Sequence, residues 1–423
     1  MSRTYLILLS LAVLTALLLF SLMQMEKSML HEGFIPSDVY TYMSSADLLY
    51  QEAKPHPTRP LGYAALLGLP SLFIGQPTTA QYVYWALALN AIAWLITILF
   101  LYKTLRLMSS PKAAAVGAGF FIFCLGNMFH ISLALTETTT CLFLTLSGWF
   151  FVKNLQTKNS AYLFHGAAML NISLLFRPGM FYFALLVSVA LAVFALIKKR
   201  KNMLQHPVWL LSLVLVTVQL TAMYQSYGKF TPSFVDKATW YFYLGAEAEA
   251  KAQGHRYEEE VKQRRASYPQ GDWKALSRLS KEDMAHQLSS NTGILFQEYF
   301  SNVIENAHHG SHPIKYAQQV NNRGGFGDSI LFISRIQNVL LFLAPLIVCI
   351  GLIIRKKRPP LPLLLMLGTV LYIIATSGVS FWQGDRFFIV FYPLVIVLGL
   401  YTWNLLQKSV DFRLQNSDLL LQK

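Results

Sequence analysis

The sequence predicts an all-α polytopic membrane protein, with about ten transmembrane helices, loops on the outer face and a small helical outer domain. Three observations predict it. The 423 residues are 54% hydrophobic and only 13% charged, about half the roughly 25% charged residues of a soluble domain. Apolar runs of about 17–25 residues, the length of a membrane helix, recur along the chain. Lys and Arg gather in short linkers between those runs, as at Lys198–Lys201 and Arg355–Arg358, the pattern of cytoplasmic loops. That placement turns the net charge of +14 away from nucleic acid and towards membrane topology.

The first span is 5–23. Only Arg3 precedes it and no small-residue cleavage site follows, so it reads as a retained signal anchor with its start inside. An outer loop, 24–79, comes next. Within it 61–75 is apolar but only 15 residues long, too short to span, and reads as an interfacial or re-entrant piece. Spans at 80–102, 113–129, 136–152, 161–176, 179–197 and 207–224 follow, and a polar segment, 225–328, leaves to the outer side. Spans at 330–354, 361–377 and 387–406 complete the set and return both termini to the cytoplasm. The chain thus divides into an N-terminal membrane module (1–224), an outer segment (225–328) and a C-terminal membrane part with its tail (329–423).

Charge counting supports this orientation. The inner segments hold 17 Lys/Arg and the short outer ones five: Lys27, Lys54, Arg59, Arg177 and Arg386. The remaining 13 lie in the long outer segment or at its boundary, where the rule does not apply. Runs 246–267 and 273–288 of that segment are rich in helix formers, and 321–328 (NNRGGFGD) reads as a flexible link into the next span. Cys124, Cys141 and Cys349 all sit in apolar runs, so no disulfide framework is implied.

Chemistry concentrates on the outer side. Between Glu52 and Asp236 one carboxylate occurs, Glu137, at the start of a span, where a charge is costly and functional by default. Its alternative role is to complement the helix dipole there. Asp38 stands just past the first span, where Ser37 is able to take the N-cap role and leave Asp38 facing a cleft. Asp47 lies about 2.5 helical turns further on, nearly on the opposite face, and is a secondary candidate. So are Tyr42 in the same stretch, His56, and Asp385 beside Arg386. Arg59, Arg177 and Arg386, on three outer loops, offer the planar fork that holds phosphate. No cofactor is demanded. A divalent cation is the one option, with His56, His130 and the His308, His309, His312 group as candidate ligands, and the metal requirement is open.

At these residues the sequence resembles the GT-C superfamily of membrane glycosyltransferases, and most of all the bacterial branch of protein O-mannosyltransferases and the lipid A aminoarabinose transferase. The matching pieces are SDVYTYMSSADLL, TRPLGYAALLGLPSLFIG, LALTETTTCLFLTL, LLFRPGMFYFAL and DRFFIVFYPLVIVLGL, in the family's order. The resemblance implies a polyprenyl-phosphate sugar donor and chemistry on the outer, periplasmic face of a bacterial inner membrane. It implies Asp38 as the first-loop catalytic carboxylate, with Arg59 and Arg386 as basic positions, Arg59 at the lipid phosphate. Many relatives carry an adjacent acidic pair, whereas Ser37 and Val39 flank Asp38 here, which leaves Glu137 as the second carboxylate.

The expected function is an inverting glycosyl transfer to an acceptor hydroxyl on a glycan, lipid or protein. Asp38 would be the general base, Glu137 would orient the acceptor or hold a cation, and the arginines would hold the donor phosphate. The alternative is a transporter or flippase of lipid-linked sugars, for which internal repeats and mid-membrane polar breaks are the signature; no repeat is visible here.

Overall fold

The computed structural model describes residues 3–29, 37–197, 206–321, 324–354 and 359–421. The basic clusters Lys198–Lys201 and Arg355–Arg358, and residues 30–36 of the 24–79 loop, lie outside them. No strand occurs among the described residues; the chain is helical throughout. Helices α1 (Arg3–Met23), α2 (Met25–Met29) and α3 (Ser37–Glu52) lead into two short ones, α4 (Leu61–Leu67) and α5 (Ser71–Ile74). Then come α6 (Thr79–Arg106), α7 (Pro111–Ile122), α8 (Leu125–Phe129), α9 (Glu137–Thr157) and α10 (Ala161–Leu174). They are followed by α11 (Phe181–Ile197) and α12 (Pro207–Tyr227).

Residues 235–321 form α13 (Val235–Thr239), a π-helical turn (Trp240–Leu244), α14 (Gly245–Gln253), α15 (Tyr257–Ser267), α16 (Trp273–Ser290), α17 (Thr292–His308) and α18 (His312–Asn321). The chain then continues as α19 (Gly324–Ile354), α20 (Leu361–Ser377) and α21 (Tyr392–Leu421).

This is an all-α polytopic membrane protein. Among the described residues six helical segments are long and apolar enough to cross a membrane, seven if the bent pair α7–α8 is taken as one span. All ten expected runs are helical, but α10 and α20 have only 14 and 17 residues. The central helix α9 packs against α6, α10, α20 and α21. Its buried residues include Glu137, four threonines, Cys141 and Ser147 beside Leu144, Phe151 and Val152, so contact with protein rather than lipid lets it be more polar than a lone span.

Local signals set several boundaries. A reciprocal pair between Thr78 and Gln81 caps the start of α6, and Asp272 accepts from the N–H groups of Lys274 and Ala275 at the start of α16. Three expectations need correction. The 113–129 span is broken: α7 and the segment after Cys124 meet at 57°. There the Gln337 side chain serves the freed backbone, donating to Phe123 O at 2.7 Å and accepting from Leu125 N at 3.0 Å. The run 246–267 is two helices, parted at Gly254, whose φ of +74° suits glycine. The supposed link 321–328 is no loop where it is described: Gly324 opens α19, while 322–323 lie outside the described residues.

The 227–234 stretch and α17 are tied to loops distant in the sequence. Phe234 N–H donates to Pro57 O at 2.8 Å, and Tyr227 OH donates to Pro55 O at 2.8 Å. On the other side, Asn306 Nδ2 donates to Ser377 O at 3.0 Å and Ser380 O at 2.6 Å, while its Oδ1 accepts from Gln383 N at 3.0 Å. Asn302 reaches Gly378 O at 3.3 Å. These amides fix the 377–386 loop, in which Trp382 and Gly384 hold positive φ of 54° and 57°. A tryptophan there is strained and needs such support.

Candidate functional site

Asp38, in the first turn of α3, lies next to the 55–60 loop. That loop comes close because Gly62 N–H donates to Leu175 O at 2.9 Å and leaves no room for a side chain, since a Cβ on Gly62 would stand 2.5 Å from the same oxygen. Arg59 is thereby brought over α3. Its Nη2 donates to Asp38 Oδ1 at 2.5 Å, its Nε donates to Thr41 Oγ1 at 2.8 Å, and its guanidinium lies 4.5 Å from the centre of the Tyr42 ring. Thr41 is aimed by its own bond to Asp38 O at 2.8 Å.

From the other end of the chain, the 3-10 turn Gly384–Phe387 brings in Arg386. Its Nη1 donates to Asp38 Oδ2 at 2.8 Å and its Nε to Glu137 Oε1 at 2.8 Å. Glu137 opens α9, where the helix N-terminus favours negative charge. Arg177 Nη1 stands 3.9 Å from the same Glu137 oxygen, donates to Arg386 O at 3.1 Å, and its guanidinium packs 4.9 Å from the Phe387 ring centre.

The result is one chain of charge, Arg59–Asp38–Arg386–Glu137–Arg177, drawn from residues as much as 348 apart. Three guanidiniums and two carboxylates leave a formal excess of one positive charge. Asp38 keeps 32% of its side chain exposed, while Glu137 keeps 3%. Burial alone would raise the Asp38 pKa, but Arg386 and Arg59 outweigh it and hold the carboxyl well below the usual range. Glu137 Oε2 is buried without a partner.

All five principal candidates therefore meet, and Tyr42 joins them, its hydroxyl 3.3 Å from Thr136 Oγ1 beside Glu137. Asp47 does not. It accepts from Tyr82 OH at 2.6 Å on the other side of α3, as the helical spacing required. His56 accepts from Thr58 N–H at 3.2 Å, and burial, with the Arg59 charge, pushes its pKa down to about 4. Asp385 is buried, 3.7 Å from His130 Nε2. His309 lies 3.2 Å from Glu305. Burial, with Arg386 and His130 nearby, pushes the His312 pKa to about 3. Among the described residues no three His, Cys, Asp or Glu side chains are grouped to hold a metal.

Sequence reasoning missed the supporting residues. Thr41 was within reach of it, three residues after Asp38 on one helix face. Tyr243, on the π-helical turn, lies within electrostatic reach of Asp38, Arg386, Arg265 and Arg59, and Gln383 Oε1 accepts from Arg386 Nη1 at 3.2 Å. Arg264 holds the π-helical turn by donating to Tyr241 O at 2.7 Å and Gly245 O at 3.1 Å. Its charge is matched by Glu260 at 2.6 Å and Asp283 at 2.8 Å.

No protein-family model matches the chain, and no curated protein matches it. Among solved structures it is similar to the archaeal oligosaccharyltransferase AglB from Archaeoglobus fulgidus in complex with an inhibitory peptide and a dolichol-phosphate. The identity is 12% and the TM-score 0.44, over 98% of this chain and 52% of that one. A second similar structure is an Archaeoglobus fulgidus oligosaccharyltransferase in complex with Zn and sulfate, with 12% identity, a TM-score of 0.43, and coverage of 90% of this chain and 46% of the other. The chain spans about half the length of these proteins.

Proposed function

We propose that the protein is a GT-C-type membrane glycosyltransferase that moves a sugar from a polyprenyl-phosphate donor to an acceptor hydroxyl, with inversion. The observation that carries this reading is the Arg59–Asp38–Arg386–Glu137–Arg177 chain, assembled from four separate parts of the sequence. Such a cluster is expensive to bury as scaffold, since ion pairs give little net stability away from water. The sequence resemblance to that superfamily falls on the same residues.

The excess positive charge suits a phosphodiester. Arg59 and Arg386 each give Asp38 one guanidinium nitrogen, and a donor phosphate would compete for those donors. As they turn to phosphate, Asp38 loses the partners that depress its pKa and becomes a better base. It would then take the acceptor's hydroxyl proton while the acceptor oxygen bonds to the anomeric carbon. The bond from that carbon to the phosphate oxygen breaks, its electron pair leaves with the polyprenyl phosphate, and the arginines meet the charge that builds there. Inversion requires base and leaving group on opposite faces of the sugar. Glu137, with one oxygen unpartnered, would orient the acceptor, and the outer helices would cover the site. In this reading the site faces the periplasm of a bacterial inner membrane, with both termini cytoplasmic.

The test is release of lipid phosphate from a radiolabelled polyprenyl-phosphate sugar by purified wild type and Asp38→Asn. The expected result is lost turnover with donor binding retained. Normal turnover by Asp38→Asn would remove it as base. Wild type that carries the lipid across a bilayer without ever releasing phosphate would be a transporter.

A further inference from the structure

Behind Arg386 lies a pair that the mechanism above does not use. His130 and Asp385 are both fully enclosed, with side-chain exposures of 0% and 2%, and Nε2 stands 3.7 Å from Asp385 Oδ1. His130 Nδ1 lies 2.8 Å from Gly126 O. A carbonyl only accepts, so Nδ1 carries a hydrogen. Neither Nε2 nor either Asp385 oxygen meets hydrogen-bond geometry with any group, although Ser311 and the His312 backbone lie beside the carboxylate. Two polar groups shut away from water are costly unless they face each other or other polar groups, and here each is the other's nearest charged or ring partner.

The site is shaped for this pair. A Cβ on Gly126 would stand 2.3 Å from Asp385 Oδ2, so glycine there is what admits the carboxylate. Asp385 precedes Arg386 in the same 3-10 turn. Trp382, two residues before that turn, and Gly384, its first residue, hold positive φ, so its entry needs outside support. Asn306 secures its entry and Arg177 donates to its Arg386 carbonyl at 3.1 Å; from the α8 side Asn127 donates to Ile389 O at 2.9 Å just beyond it, and the His130–Asp385 pair meets the turn itself.

We propose that His130 and Asp385, admitted by Gly126, are positioning residues that set the Arg386 guanidinium between Asp38 and Glu137, and through it the phosphate-holding site. The inference rests on the transferase reading for its consequence on ligand binding, but not for its structural content. Two measurements keep them apart. The first needs no ligand: the energetic coupling between Arg386 and Glu137, from a double-mutant cycle on unfolding, is compared in the native background and in Asp385→Asn. Positioning predicts that the coupling, as a ratio of unfolding constants, drops about tenfold or more, the scale of one well-placed charge-assisted hydrogen bond. Gly126→Ala, which displaces the carboxylate without deleting a polar group, gives the same drop. An unchanged coupling in the folded variants overturns the proposal.

The second is affinity for undecaprenyl phosphate in nanodiscs. Asp385→Asn and Gly126→Ala weaken it about tenfold, in the direction of Arg386→Leu, while a scaffold defect alone would lower stability without touching affinity. If Arg386→Leu weakens binding and the two positioning variants do not, the proposal fails. If Arg386→Leu itself binds normally, the phosphate role of Arg386 is what fails, and the coupling measurement alone decides the pair.

Discussion

Arg386→Leu tests whether the site is held together by its central guanidinium. The change removes a 2.8 Å bond to Asp38 and a 2.8 Å bond to Glu137. Asp38 keeps Arg59 at 2.5 Å and is 32% exposed, so its share of the loss is small, about 0–1 kcal/mol. Glu137 is 3% exposed, and its remaining cation, Arg177, is 3.9 Å away, beyond hydrogen-bond reach. Its other oxygen has no partner. Leaving such a carboxylate buried without its pair costs about 3–5 kcal/mol. In a Glu137→Gln background the stranded charge is gone, and the same Arg386→Leu change should cost about 1–2 kcal/mol. The coupling is then about 2–3 kcal/mol.

The assay is built into the fold. Cys124 and Cys141 are buried, so with Cys349→Ser to remove the half-exposed thiol, a thiol-reactive dye reports unfolding in detergent. Additive effects, with a coupling under about 0.5 kcal/mol, the range of independent sites, would show that Glu137 does not depend on Arg386, and would refute the single-chain view of the site.

Other outcomes follow from the same structure. Burial, together with the nearby Glu298 and Glu305, raises the pKa of Glu247 to about 7 from 4.5, against the opposing effects of Asn302 and Lys251. A carboxyl raised on folding costs nothing while both states are protonated, so stability should fall as pH rises from about 4.5 to about 7 and then level off. Glu247→Gln should flatten that dependence, read by hydrogen exchange of the outer helices between pH 5 and 8; an unchanged slope would place the titration elsewhere. Gly62→Ala should cost about 1–3 kcal/mol by overpacking against Leu175, whereas Gly119→Ala, with open space at its Cβ position, should be neutral or stabilising by up to about 1 kcal/mol. Equal thermal shifts for the two would mean that the 59–62 loop is not pinned as described.

Much of this was legible because hydrophobic runs and lone charges are strong signals in a chain meant for lipid. Runs of apolar residues located the helices. Glu137 stood out as the one carboxylate between Glu52 and Asp236, and the three arginines stood out at the ends of apolar segments. The 3.6-residue period separated Asp38 from Asp47, and the structure gives Asp47 to Tyr82. The break after α7 was not legible, because its compensation by Gln337 comes from more than 200 residues away. Nor was the split at Gly254, where composition favours helix on both sides and one φ decides.

The sequence by itself determined the all-α membrane class, the helical segments and which charged residues stand where charge is costly, since these follow from the price of exposing polar groups to hydrocarbon. Only the tertiary structure decided the partners. Arg386 bridges Asp38 and Glu137, Arg59 is folded onto α3 by Gly62, and Asp385 is shut in with His130 against Gly126. Pairing depends on where side chains arrive in space. A string of residues separated by up to 348 positions carries no local trace of that until the helices between them have packed.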